Sequence, residues 1–487
     1  MSRSAPLLFH YRSPFPVPVE ELFGWHERPA ALERLNTPWA PFTVVQSSRS
    51  IQNGSTVSLK IPVLGPVKVP LRVVHEGYQR GVQFQDRQVA GPFRSWLHTH
   101  RFSSTTSHFT APTPTSSPSS VLDDIISYTL PSFLPSIGPV ISAAESELLR
   151  TFWYRHQILA RDIEHPLPVR PMTVGITGSS GLVGSSLTPF LSMRGHRLIS
   201  IVRALRPAPQ GQFLQALWDP STGELDTLSL EGIDALVHLA GESIAQIPWT
   251  KDRKERIRSS RVAGTTRLVE TIRRMKNPPS TVIMASAIGL YGANRSDIVN
   301  EESDRGDGFL ADVVEEWEAA ASGFSAMGIR VVFLRFGVIL SARGGLLSTV
   351  LLPFKGGVGG PIGDGEQWMN WISIEDAVRL IDAALTDPSY SGAYNAVSPL
   401  SVTNREFTKM LSSLLHRPSI CRVPASLLRA TLGEAANELM LATTKVVSSR
   451  LQDRGFVFLD DTIESCLRLQ LGCPPASARE HLIRDAQ

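Results

Sequence analysis

At 487 residues, with 42% hydrophobic and 19% charged side chains, the chain is too long for one ordinary core and is expected to form roughly three soluble domains. The formal charge of +3 is near balance, so nothing in the composition points to a nucleic-acid partner. Three cysteines (Cys421, Cys466 and Cys473), odd in number and without metal spacing, argue for a reducing compartment and against a disulfide framework. No 18-residue apolar run predicts a membrane span and the N-terminus has no signal-peptide core, so the expected location is cytoplasmic.

Residues 7–162 read as one domain. A strand at Leu7–Tyr11 is followed by a short helix at Val19–Trp25, where Glu20 and Glu21 suit a helix N-terminus. Strand patterns follow at 42–45, 55–62, 67–74, 81–85, 95–102 and 124–130, and a helical pattern from Ile141 to Ala160 closes the domain. Antiparallel strands closed by one long helix predict an α+β layer with an interior between them. The segments Trp25-His26-Glu27-Arg28-Pro29, Asp86-x-Gln88-x-x-Gly91-Pro92-Phe93-x-x-Trp96-x-His98-x-His100 and Phe152-x-Tyr154-Arg155-His156 resemble the helix-grip fold of the polyketide-cyclase and lipid-transfer superfamily, the cyclase/dehydrase-like subgroup. That resemblance implies a cavity for an apolar ligand. His98 and His100 share one face of a strand, but with no third ligand in sight they read as hydrogen-bonded wall residues, and no metal site is expected. The Pro/Thr/Ser-rich stretch 110–120 cannot form a packed core and is expected as a mobile hairpin insertion. Residues 163–171, with three prolines, form a semi-rigid linker.

From Met172 strands and helices alternate. The apolar run Val174, Ile176 ends in Gly178-x-x-Gly181-x-x-Gly184, and a helical pattern through Leu187, Phe190 and Leu191 follows. Strand, glycine turn and helix are the parts of a pyrophosphate site. Gly178 allows the tight turn, Gly181 admits the phosphates and Gly184 brings the helix close to the strand. The second strand, Arg197–Val202, is followed by Arg203, with Arg206 behind it, where readers of a plain ribose carry an acid. An arginine there suits a 2′-phosphate, so NADP(H) is favoured over NAD(H); the alternative is a solvent-exposed loop arginine. Trp218-Asp219 after the third strand reads either as an adenine flank or as a turn. The fourth strand, from Ala235, ends in Leu239, Ala240 and Gly241, the fifth (Thr281–Ser286) leads to Tyr291-Gly292, and the sixth (Arg330–Arg335) leads to Gly337. Repeated strand–helix units predict a doubly wound parallel Rossmann sheet. The expected cofactor contacts are Gly178, Ser179, Ser180, Gly181, Leu182, Val183, Gly184, Arg203, Leu239, Ala240, Gly241 and Gly337. The run Lys355–Gly365 lacks the Lys-Ser/Thr of a phosphate loop and reads as an adaptable loop over the substrate pocket, with Trp368 and Trp371 as its wall or as core beneath it.

Thr177-Gly178-x-x-Gly181-x-x-Gly184, Leu239-Ala240-Gly241, Ser286 and Tyr291-Gly292 resemble the extended short-chain dehydrogenase/reductases, the nucleotide-sugar epimerase-like group. Leu239–Ile244, Trp249-Thr250, Ser260-Arg261, Ser286–Gly292, Trp317-Glu318 and Gly363–Trp368 narrow the resemblance to an atypical epimerase-like subfamily. It covers residues 172–472, some members of the subfamily also fuse a helix-grip domain in front, and 172–400 is the expected Rossmann domain. The resemblance implies a small C-terminal helical domain over 401–472, a tail from 473 to 487, and pairing into a homodimer. One departure matters. The superfamily's Tyr-x-x-x-Lys pair is missing, since Gly308–Glu316 offers neither residue and Tyr291 is followed four positions on by Arg295. Ser286 and Tyr291 remain the candidate catalytic residues. Ser286 would orient a substrate carbonyl or hydroxyl, and Tyr291 either handles a proton or packs its ring under the cofactor. Two function classes stand: an NAD(P)-dependent oxidoreductase or epimerase acting on a small hydroxy or carbonyl substrate, and a non-catalytic NADP(H) sensor or ligand-presenting protein.

Overall fold

Period-two patterning builds the first sheet. Along Leu7–Phe15 (β1), Phe9, Tyr11, Ser13 and Phe15 turn inward and their neighbours outward. The strands Thr43–Ser47 (β2), Thr56–Leu64 (β3), Val67–Gln79 (β4), Gln83–Ala90 (β5), Ser95–Ser104 (β6) and Ser120–Thr129 (β7) follow. In this computed structural model, which describes residues 6–64, 67–105, 119–131, 137–205 and 214–483, these strands pair antiparallel in the order β1-β7-β6-β5-β4-β3-β2. Two short helices, Val19–Glu27 (α1) and Ala31–Arg34 (α2), follow β1, and Gly138–Ile163 (α3) packs Leu149, Phe152 and Ile158 against Phe9, Ile126 and Tyr128. The expected insertion at 110–120 falls mostly within 106–118, outside the described residues, as does Arg206.

The second sheet is parallel throughout. Thr173–Thr177 (β8), Leu182–Met193 (α4), Arg197–Val202 (β9), Leu214–Leu217 (β10), Ala235–His238 (β11), Lys251–Ile272 (α5), Thr281–Ala287 (β12), Ile298–Val299 (β13), Phe309–Ser325 (α6) and Arg330–Phe336 (β14) follow in sequence. Val338–Leu340 (β15), Gly345–Lys355 (α7), Trp368–Met369 (β16), Trp371–Ser373 (β17), Ile374–Thr386 (α8) and Gly392–Ala396 (β18) complete this part. The strand order β10-β9-β8-β11-β12-β14-β18 places the reversal of winding between β8 and β11. The core strands are near-continuous apolar runs because both faces are covered, Val174 and Ile176 toward α4 and α8, Leu236 and Val282 toward α5 and α6. Beyond the sheet, Asn404–Leu415 (α9), Ala425–Leu432 (α10), Ser449–Asp453 (α11) and Ile463–Leu471 (α12) make a small helical region. Among the described residues no helix is long and apolar enough to cross a membrane.

Buried ion pairs join the two sheets' units. Arg34 of α2 reaches Asp162 of α3 at 2.8 Å and Glu375 of α8 at 2.6 Å, and Arg161 pairs with Asp460 at 2.8 Å. Residues after 472 return to the first sheet, where the His481 ring stacks on Tyr11 at 5.5 Å.

Candidate functional site

The glycine turn lies at the winding reversal, between β8 and the start of α4. Gly178 adopts φ of +68°, and a Cβ there would stand 2.9 Å from the Leu239 carbonyl carbon, so the turn lies directly against the end of β11. A Cβ on Gly184 would fall 2.3 Å from the Gly178 carbonyl oxygen. Gly184 therefore brings α4 onto the turn's own backbone. Gly181, the N-cap of α4, supplies no capping side chain, and the first turn of α4 carries no acid, which leaves its amides and dipole available to an anion. Ser180 and Gly181 are exposed, with Ser179, Leu182 and Val183 half-buried beside them.

The opposite wall of the crevice is held by a buried relay. The Thr177 hydroxyl accepts from the Leu239 and Ala240 amides at 3.1 and 3.2 Å and donates to His238 Nδ1 at 2.8 Å. His238 Nε2 then faces the Thr265 hydroxyl at 3.3 Å, which also accepts from Trp317 Nε1 at 3.0 Å. Burial, helped by the nearby Arg261 charge, pushes the His238 imidazole down to about 4. Gly241, next on the wall, has the Arg261 guanidinium 3.3 Å from where its Cβ would be. Arg261 bonds the Glu242 and Ile257 carbonyls and lies 5.2 Å over Trp317, and burial lowers its pKa to about 10. Sequence reasoning gave Arg261 no role, because only the approach of α5 to the end of β11 brings it to the crevice.

Register sets the next group. Ser286, Arg335 and Asn395 occupy one row across β12, β14 and β18. The Ser286 hydroxyl donates to Glu318 Oε1 at 2.6 Å, and Arg335 grips the same carboxylate from Nε at 2.9 Å and from its terminal nitrogen at 2.8 Å. Arg335 also donates to the Tyr291 hydroxyl at 2.9 Å, and Tyr291 donates to Asn395 Oδ1 at 2.8 Å. Tyr291 is fully buried, and burial raises its pKa. Of the two predicted catalytic residues, Ser286 thus reaches a carboxylate, while the Tyr291 proton is held by Asn395. Glu318, read only as a motif residue, is the side chain that α6 contributes to this group.

The remaining predicted positions are less central. Arg203 is exposed just past β9 and, among the described residues, makes no hydrogen bond or ion pair. Gly337 is tight for a structural reason, since a Cβ would meet the Asn370 carbonyl oxygen at 2.4 Å. Trp218 is core, edge-on to His238 at 5.8 Å, and Trp371 is core, donating to the Leu400 carbonyl. The glycine-rich run near Gly360 is tied down through Gly363 and Pro361 to Val423.

Known proteins carry the same parts. The model of the NAD dependent epimerase/dehydratase family matches residues 174–397, and a domain of unknown function, DUF1731, matches 423–469. "Epimerase family protein Mb2239" of Mycobacterium bovis is 38% identical over 294 residues, 60% of this chain and 96% of that protein. The chain belongs to the NAD dependent epimerase/dehydratase family. Another family member, the human epimerase family protein SDR39U1, has a crystal structure with NADPH that superposes with TM-score 0.54 at 30% identity, over 61% of this chain and 98% of that one. A structure called the nucleoside-diphosphate sugar epimerase from Corynebacterium glutamicum matches further, with TM-score 0.74 at 32% identity over 96% of this chain and 90% of that one. Its likeness therefore extends through the N-terminal sheet.

Proposed function

We propose that this epimerase-family chain binds NADP(H) across the winding reversal and acts on a small hydroxy or carbonyl substrate, in the nucleotide-sugar class, without a Tyr-x-x-x-Lys pair. The observation that carries the cofactor assignment is the Gly178–Gly184 turn, where Cβ atoms at Gly178 and Gly184 would collide with backbone and α4 presents uncapped amides. Bound there, a nicotinamide supplies or accepts a hydride. Arg203, exposed just past β9, would take a 2′-phosphate, and Arg261, beside Gly241, would take an anionic group of cofactor or substrate. Ser286 would hold the substrate oxygen, with Glu318 as the acceptor for its proton and Arg335 fixing that carboxylate. The SDR39U1 and nucleoside-diphosphate sugar epimerase names support the cofactor and the substrate class respectively.

The domain division we adopt is 7–162, 172–400 and 401–472. We read the first of these as a helix-grip unit, supported by its antiparallel sheet under one long helix. A cleft of about 450 Å³ lined by Val45, Leu59, Val69, Leu71 and Pro92 supports an apolar ligand there. A homodimer is part of the same reading.

The test is titration of the purified chain with NADPH and NADH, followed by a turnover screen on aldehydes, ketones and nucleotide sugars. NADPH is expected to bind at least about tenfold tighter than NADH, a difference near 1.4 kcal/mol that Arg203→Ala removes. Turnover abolished by Ser286→Ala supports the enzyme. NADPH binding without turnover on any of these classes favours the sensor, the reading toward which the committed Tyr291 hydroxyl points. Failure to bind either nucleotide overturns the assignment.

A further inference from the structure

Two rows of side chains meet inside the N-terminal sheet, far along the chain from the crevice. Register sets His75, Asp86 and His98 side by side across β4, β5 and β6, and places His100 opposite Asp124 of β7. Asp86 is the third ligand that the linear sequence did not reveal, because the β5–β6 hairpin alone brings it to His98.

The spare atoms converge on one point. His98 Nδ1 lies 3.9 Å and His100 Nε2 3.6 Å from Asp86 Oδ2, and the three ligand atoms all lie within 4.8 Å of one another. These separations are too long for hydrogen bonds. They are close to the spacing of ligands around an ion with bonds of about 2.1 Å. The other nitrogen of each ring faces a single carboxylate. His98 Nε2 bonds Asp124 Oδ1 at 2.9 Å, and His100 Nδ1 lies 2.6 Å from the same oxygen, out of line for a hydrogen bond. His156 Nε2 holds the second Asp124 oxygen at 2.7 Å. A carboxylate behind each imidazole is how metal-binding histidines are oriented. His98 is thus hydrogen-bonded, as a wall histidine would be, but a wall role does not account for His98 Nδ1 and His100 Nε2 both facing Asp86 Oδ2.

The other Asp86 oxygen is already engaged: His75 Nδ1 lies 2.5 Å from Asp86 Oδ1, which leaves Oδ2 as the oxygen turned toward His98 and His100. We propose that Asp86, His98 and His100 bind one divalent transition-metal ion inside the N-terminal unit. Two imidazoles and one carboxylate suit zinc or iron(II) and leave coordination positions open. Asp86 is the most exposed of the three side chains, at 22%, and marks the side of entry. The face that carries His75 continues along β4 through Val73 to Leu71, which lines the apolar cleft.

The full chain, stripped with a chelator and equilibrated with Zn²⁺, is expected to retain one zinc per molecule by elemental analysis. Asp86→Asn and His100→Gln should each weaken zinc binding at least tenfold, and Asp124→Asn by about 10–100-fold, while all three keep a cooperative melt. A wild-type chain that retains no stoichiometric zinc, or folded variants that hold it equally well, would overturn the site. If a variant loses its cooperative melt, the cobalt-loaded wild-type chain decides. Visible d–d bands displaced by one equivalent of zinc support the site, and the spectrum of the free aqueous ion overturns it.

Discussion

At Tyr291 both hydrogen bonds of the hydroxyl run to interior partners. Its proton goes to Asn395 and its oxygen accepts from Arg335, both in the interior. Tyr291→Phe should therefore cost stability, about 1–3 kcal/mol for the groups left unpaired, and leave NADPH affinity unchanged. Denaturant melts and a nucleotide titration on the same variant check both halves. At the turn the expected pattern is reversed. Gly184→Ala puts a methyl group on the Gly178 carbonyl, so α4 must shift and nucleotide binding should fall well beyond any loss of stability. His238 gives a pH signature. Its folded pKa is about 4 against an ordinary value near 6.5, so between those values the unfolded chain binds more protons and stability falls as pH drops. The contribution lost across that window is at most about 3 kcal/mol. His238→Gln, which can still bridge Thr177 and Thr265, should flatten that part of the stability–pH curve; an unchanged slope would show that another group carries it.

At the scale of elements, the sequence was legible wherever one short segment contains the whole signal. The β8–turn–α4 unit, the small residues ending β11 and the missing Tyr-x-x-x-Lys of α6 all declare themselves within a dozen residues. What stayed hidden depends on pairing between distant segments. Asp86 meets His98 only through hairpin register, and the Ser286–Arg335–Asn395 row only through three parallel strands. Strand β18, Gly392–Ala396, reads poorly because its glycine and alanines give no apolar run. Helix α6 shows the same dependence at its start. Gly308 provides no capping side chain, and Glu438, more than a hundred residues on, accepts from the Phe309 and Leu310 amides at 2.8 Å each. Glu438→Ala should cost about 1 kcal/mol, and amide exchange should speed up at 309–312 before it does in the rest of α6. Uniform exchange along the helix would mean that the cap does not hold its first turn.

For the whole molecule, the question is what makes the N-terminal unit and the nucleotide-binding unit one body. Arg34 lies at the centre of that junction, 5% exposed, with its guanidinium shared between Asp162 and Glu375. Burial disfavours its charge, but the two carboxylates outweigh that penalty and raise its pKa, while Arg34 in turn holds Glu375 below the usual carboxylate range against the cost of its own burial. The trio is self-consistent only when complete. Arg34→Ala leaves two carboxylates buried side by side and should cost about 3–5 kcal/mol, more than its lost packing explains. Adding Asp162→Asn and Glu375→Gln to the same chain should recover most of that loss, since the stranded charges disappear with their partner. Acidification separates this account from a simple cavity. In the wild type the depressed Glu375 pKa contributes stability that is present above about pH 4.5 and is lost below it. In Arg34→Ala the unpaired carboxylates prefer to be protonated, so the gap between variant and wild type should narrow as the pH falls from 7 toward 4. A gap that stays constant over that range would identify Arg34 as packing material and place the coupling of the two units in Arg161–Asp460 and the contacts around Tyr11.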